Sequence, residues 1–344
     1  MRILHLLDCS AGVAAMRLAC EAAVSPINPR SGGHRHAVIA VGPSRGTKAG
    51  VTVPWRRVAL PMGMARLALP ACRREMREIY ATTPGASAGP EVVQVWGHRL
   101  KWLGARLAGG RASVVSVNDV TGEVEACRGD SRGVWSKVGR ADAVEADALP
   151  TGKRAWPLDG GRPVIGFASD IPTPEEMDGL AAMLAMLTTA GVAASGLVGV
   201  DAPSLARARR HALTHPVADI RVTDDCFADR AGRCDVLLSG IQRRGDSAPE
   251  LVFRDAFTLA WAARRGTRVL VAGDGLDATG ATLVARRRPS EFAALILASI
   301  GSDRELAVGG EAEPKAIQTP KAHNTEGIDD LVQLAWWRAA NGRA

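Results

Sequence analysis

No run of apolar residues in this 344-residue chain reaches the length of about 18 that a membrane-spanning helix needs, although hydrophobic residues make up 47% of it. The six cysteines, at 9, 20, 72, 127, 226 and 234, contain no CxxC pair. They therefore read as small buried hydrophobes, not as zinc ligands or disulfide partners. The opening MRILHLLDCSAG has one Arg and a short apolar run closed by Asp8, so it reads as a core strand and not as a signal peptide. A cytoplasmic location follows as an expectation, as does the absence of a metal or resident cofactor. Aromatics are few, at 4%, and they do not interleave with basic residues. With no nucleic-acid motif and no repeat of fixed period, a nucleic-acid partner is not expected. Lysine is scarce too: 37 of the 43 basic residues are Arg. In an Ala-rich chain this reflects nucleotide composition as readily as function.

The charge is uneven. Residues 1–150 hold 20 basic against 12 acidic side chains, net +8, and residues 151–344 hold 23 against 24. The excess clusters at Arg56, Arg57, Arg66, Arg73, Arg74 and Arg77. Such a face suits an anionic membrane surface or acidic glycan, or is simply solvated. The protein is thus expected to be cytoplasmic with a possible peripheral association at the inner membrane face.

Length predicts two domains. In the first half, buried strands at 2–7, 37–41, 91–96 and 112–117 alternate with helical patterns at 13–23, 65–80 (interrupted by Pro70) and 99–108. His34 and His36 fall in a Gly-containing loop. Asp159-Gly160-Gly161-Arg162-Pro163 reads as a linker, after which the alternation restarts. Strands are predicted at 164–168, 193–200, 220–222, 236–238 and 268–272, with helices at 174–190, 203–213, 250–265 and 290–300. Thr173 is placed to cap the first of these helices, with Pro174 at its first position. Residues 309–326 lack periodicity and read as a linker, and 327–341 as a last helix. The resulting fold class is α/β, with two Rossmann-like doubly wound domains (1–158 and 163–308) followed by a linker (309–326) and a C-terminal helix (327–344).

The segment CDVLLSGIQRRGDSAPELVFRDAFTLAWAARRGTRVLVAG, Cys234–Gly273, reads strand, loop, helix, strand. It resembles the donor-sugar segment of retaining glycosyltransferases of the GT-B fold. MRILHLLDCSAGVAAMRLACEAA, EVVQVWGHRLKWLGARL, ASVVSVNDV, RPVIGFASDIPTPEEMDGLAAMLAML and PSEFAALILASI resemble other segments of that family, in order. The resemblance implies two domains facing across a cleft and transfer of a sugar from a nucleotide-sugar donor, in glycan biosynthesis. Its alternative is a catalytically inactive relative that keeps the fold to bind a glycan or partner protein.

The resemblance also shows where chemistry is missing. The family's Arg and Lys that neutralise the departing diphosphate correspond to Asp170 and Glu175 here. Its two glutamates, eight positions apart, correspond to Phe253 and Trp261. Its first-domain histidine corresponds to Gln94 or Trp96, and its glycine pair is reduced to Gly12. The residues left as candidates for substrate binding each have a plainer reading. Ser10 and Gly12 precede the first helix, as an anion site or a tight turn. Trp96 and His98 lie at the end of a strand, and the histidine serves as a base or as hydrogen-bonded structure. Ser239 and Gly240 end the Val236 strand. Arg243 and Arg244 follow in its loop, as replacement phosphate clamps or exposed charges. Glu250 is near a helix start, where it binds or caps. Asp274 follows the Val269 strand, in a donor loop or a turn.

Overall fold

The structure is a computed structural model. It describes residues 1–9, 14–25, 33–42, 53–59, 65–81, 89–127, 134–141, 162–167, 172–200, 204–225, 227–241, 253–264, 267–272, 282–284, 288–308 and 328–340. The chain divides into two units. One comprises Met1–Glu145, Val252–Arg254 and Thr325–Ala344, and the other Ala146–Leu251 and Asp255–Asn324.

The first unit is built on a seven-stranded sheet. Its strands are β1 (Arg2–Asp8), β2 (Arg35–Val41), β3 (Trp55–Val58), β4 (Val92–Trp96), β5 (Ser113–Val117), β6 (Glu123–Cys127) and β7 (Ser136–Arg140), in the order β3-β2-β1-β4-β5-β6-β7. The first five are parallel. The last two run antiparallel, which the expected alternation does not contain. Their sequences EVEAC and SKVGR are short and half-polar, so they lack the continuous apolar run by which buried parallel strands are recognised.

Period-2 alternation sorts the two faces of this sheet. Leu4, Leu6, Val93 and Val95 pack with α2 (Leu69–Ala81) and α3 (Lys101–Ala108). The alternate residues, including His5, Gln94 and Trp96, lie on the face covered by α1 (Ala14–Ala23) and the C-terminal helix α9 (Ile328–Ala340). Pro70 does not interrupt a helix: a 3-10 turn over Ala65–Ala68 precedes it, and it sits in the first turn of α2. There its missing N–H costs nothing and its fixed φ suits the helix. His36 is not in a loop but buried in β2.

The second unit holds β8 (Val164–Phe167), β9 (Ser195–Gly199), β10 (Ile220–Thr223), β11 (Val236–Ser239), β12 (Arg268–Ala272) and β13 (Thr282–Val284). They are all parallel, in the order β10-β9-β8-β11-β12-β13. That is the 3-2-1-4-5-6 order of a doubly wound dinucleotide-type sheet. The connecting helices are α4 (Pro174–Thr189), α5 (Leu205–Ala212), α6 (Phe227–Ala231), α7 (Phe253–Arg264) and α8 (Pro289–Val308). Thr173 caps α4 as expected. Its hydroxyl accepts from Glu176 N, Glu176 reciprocates, and Pro174 opens the helix. Leu180, Met183, Leu184 and Leu187 of α4 enter a core with Ile165, Val198, Leu238 and Phe292.

Candidate functional site

In an open parallel sheet the ligand crevice lies beyond the carboxyl ends of the strands, where the strand order reverses. In the first sheet that point is between β1 and β4, and a His–Asp pair stands beside it. Gly97 follows β4 with φ of 108°, a conformation that side chains rarely adopt. A Cβ there would come to 2.9 Å from that of Asp8 at the end of β1. The turn sends His98 out of the sheet. Its backbone N donates to Asp119 Oδ1 at 3.1 Å and its ring Nδ1 to the same oxygen at 2.6 Å. Asp119 is held by the turn between β5 and β6. Asn118 Oδ1 accepts from Val120 N and Thr121 N, and Gly122 N donates to Asn118 O.

The pair is asymmetric: the His98 side chain is 44% exposed and that of Asp119 only 9%. Burial works to raise the Asp119 carboxyl. The hydrogen bonds from the His98 ring and backbone outweigh it and keep it below the usual carboxylate range. A carboxylate on Nδ1 fixes the neutral ring as the Nδ1–H tautomer. Nε2 is then a bare lone pair on the solvent side. Chemically, such an arrangement can act as an oriented general base.

Trp96 has a different place from the one the sequence implied. It is fully buried, and its indole N–H donates to His5 Nδ1 at 3.0 Å. It therefore lies in the core beneath α9, beyond reach of a substrate, because the pleat turns residues 94 and 96 to the helix-covered face. Gln94 is buried beside it and accepts from Trp336 Nε1 at 2.7 Å. With its Nδ1 occupied by the indole, His5 donates from Nε2 to His36 Nδ1 at 2.9 Å.

In the second unit, Ser239 and Gly240 end β11, next to the strand-order reversal between β8 and β11. Gly240 has φ of 80°. Glu175 is exposed in the first turn of α4. Phe253 is buried, and Trp261 packs its ring 5.9 Å from that of Phe227. Both thus serve apolar packing, as their side chains dictate. Ser10, Gly12, Asp170, Arg243, Arg244, Glu250 and Asp274 lie outside the described residues, as do the linker residues 159–161 and 309–326.

Sequence reasoning missed three convergent side chains in the second unit. Asp178 Oδ1 accepts from His211 Nε2 and from His215 Nε2, each at 2.9 Å. The signal was the His-x3-His spacing at 211 and 215, a spacing known from zinc sites, although His215 lies past the end of α5.

No protein-family model matches the chain, and no curated protein sequence matches it. Solved structures do. Anabaena HepE in complex with UDP-glucose superposes with a TM-score of 0.50 at 11% identity, over 98% of this chain and 95% of that one. Escherichia coli heptosyltransferase WaaC with ADP gives 0.43 at 13%, over 88% and 100%. A glycosyltransferase from Rickettsia africae gives 0.44 at 12%, over 100% and 94%. The chain thus has a GT-B-like α/β fold of two Rossmann-like domains.

Proposed function

We propose that this protein transfers a sugar from a nucleotide-sugar donor to an acceptor hydroxyl, in glycan biosynthesis, with His98 as the general base. The observation that carries the reading is the His98–Asp119 pair at the strand-order reversal of the first sheet. His98 Nε2 accepts the hydroxyl proton as the acceptor oxygen attacks the anomeric carbon. The bond to the nucleotide diphosphate breaks on the opposite face. The buried Asp119 carboxylate stabilises the imidazolium that results. A single displacement of this kind inverts the anomeric centre, whereas the sequence resemblance implied retention. On the donor side, the reading assigns Ser239 and Gly240 to the sugar nucleotide, with Ser10, Gly12, Arg243, Arg244, Glu250 and Asp274 as further candidates from sequence.

A second reading is favoured by Phe253, Trp261 and Glu175: a relative that binds a glycan or partner protein without turnover. None of these side chains supplies the cation or the sugar-gripping carboxylate that the resemblance calls for. One experiment separates the two. The protein is incubated with UDP-, GDP- and ADP-linked sugars, and release of nucleoside diphosphate is followed with and without glycan acceptors. Release that is abolished in His98→Ala supports transfer. Glycan binding without release from any donor establishes the second reading.

A further inference from the structure

We infer that Asp178, His211 and His215 form a metal site of the zinc class, which pins the end of α5 to α4 and leaves one coordination position open to solvent. The site does not rest on the glycosyl-transfer reading.

Two elements build it. Asp178 lies in the second turn of α4. His211 is in the last turn of α5, and the chain beyond continues in tight turns: Thr214 N and Oγ1 both donate to His211 O, at 3.0 and 2.6 Å, and His215 N to Ala212 O at 3.1 Å. This path brings the His215 ring back beside that of His211, with centroids 5.5 Å apart and planes at 70°. Both Nε2 atoms then aim at one carboxylate oxygen, and the three ligand atoms lie within 4.8 Å of one another.

The chemistry of the set selects the ion. Two imidazoles and one carboxylate suit zinc and its neighbours in the first transition row, not magnesium or calcium, which take oxygen ligands. Ligand atoms in a tetrahedral zinc site stand about 3.3 Å apart, for bonds of about 2.0–2.1 Å. The two N···O distances of 2.9 Å therefore open to that spacing with small side-chain rotations. Binding needs each neutral ring to move its proton from Nε2 to Nδ1, which costs no net charge. Three protein ligands leave the fourth position to water. The side chains are 25–30% exposed, so an ion and a water can reach them. α5 also carries Arg207, Arg209 and Arg210 on its exposed side. Among the described residues, however, only the two imidazoles bond to the Asp178 carboxylate.

The rival is a purely hydrogen-bonded triad, and the variants are chosen to separate the two. Full-length protein freed of metal with a chelator is titrated with zinc chloride by calorimetry, and with cobalt chloride while its visible spectrum is recorded. The expected result is one equivalent per chain, with the visible absorption of tetrahedral cobalt, and a melting temperature that zinc raises. Magnesium at millimolar concentration does not compete. The double variant His211→Gln with His215→Gln keeps donors for Asp178 but no imidazoles. It is expected to melt like the metal-free parent, while zinc affinity falls on the order of a hundredfold or more and the cobalt band disappears. No stoichiometric binding by the parent, or equal binding by the double variant, overturns the site.

Discussion

His98 makes two bonds to one oxygen of Asp119, one from its backbone N–H and one from its ring. That makes Asp119 a positioning residue whose loss differs from the loss of the ring. His98→Ala removes the proposed base and is expected to lower turnover by about 10²–10⁴-fold with little change in donor binding. Asp119→Asn keeps the shape but offers an amide in place of a carboxylate. The ring then takes the wrong tautomer for part of its time, so kcat should fall while KM holds. The single-turnover rate against donor titration reads this split. Equal losses in KM for both variants would assign the pair to binding instead. Glu175 gives the reciprocal experiment. It is an exposed acid in the first turn of α4, at the position where the glycosyltransferase resemblance implies a cation. Glu175→Lys should tighten donor binding about tenfold, by replacing a repulsive charge with an attractive one. It should also cost roughly 0.5 kcal/mol of stability at the helix N-terminus. A calorimetric titration beside a melt checks both signs.

These residue-scale features were only partly legible in the sequence. His98 stands out because it follows a buried strand and a glycine. Asp119 does not, since nothing local links it to a histidine 21 positions earlier. The link is made by the neighbouring parallel strands β4 and β5, whose carboxyl ends the fold brings level. Trp96 misled for the opposite reason. It is the last residue of β4, so the pleat sets its face, whereas His98, two positions on, has already left the strand through the Gly97 turn.

At the scale of elements, the C-terminal helix is the clearest surprise. The sequence shows a last helix that carries Trp336-Trp337, a pair more often packed against a core than stacked on sugar. It could not show that the partner is the first sheet, because the contact spans 242 residues. Trp336 is fully buried, while Trp337 is 52% exposed. Trp336→Ala should destabilise the first unit by about 3–5 kcal/mol, through the cavity and the Gln94 amide oxygen left without its donor. Trp337→Ala should cost far less. The same contact predicts acid sensitivity. Burial, reinforced by His36, holds His5 well below the ordinary histidine pKa. Below about pH 6.5 the unfolded chain takes up a proton on His5 that the native state refuses. Stability therefore falls as pH drops from about 7 to 5, by roughly 1 kcal/mol per pH unit for this group. His34 is shifted in the same direction, mainly by burial, and adds to the slope. Urea unfolding across that range should show a shallower slope in His5→Gln. An unchanged slope would mean that other groups carry the acid sensitivity.

For the whole molecule, the restart of β-α alternation was enough to read two Rossmann-like domains, because buried parallel strands announce themselves as short apolar runs. β3, β7 and β13 were not legible because they are short edge strands, which need no continuous apolar run, and β6, inside the sheet, because its sequence EVEAC is half-polar. Charge is the other whole-molecule property, and in the first unit exposed arginines gather around β3 and α2. Arg56 and Arg57 lie exposed on the edge strand β3, and Arg66, Arg73, Arg74 and Arg77 are exposed on and before α2. Glu75 and Glu78 pair with Arg56 and Arg74 and offset only part of this charge. Within the same region, Leu67 is 65% exposed and Trp102 41% exposed, the latter flanked by Arg66 and Arg106 at 5.8 and 5.5 Å from its ring. Among the described residues no helix is long and apolar enough to cross a membrane. We propose that these arginines, around an exposed indole and leucine, let this surface meet anionic lipid. Each such arginine is worth about 1 kcal/mol near a negatively charged leaflet, and the attraction dies within a Debye length of about 8 Å at physiological salt. The protein should co-sediment with vesicles containing phosphatidylglycerol and not with neutral ones, and the bound fraction should fall steeply as salt rises. Arg66→Glu with Arg73→Glu and Arg77→Glu should abolish binding, and Trp102→Ala should weaken it without changing the salt slope. Equal binding to neutral and anionic vesicles, or none to either, would leave this face as a solvated surface.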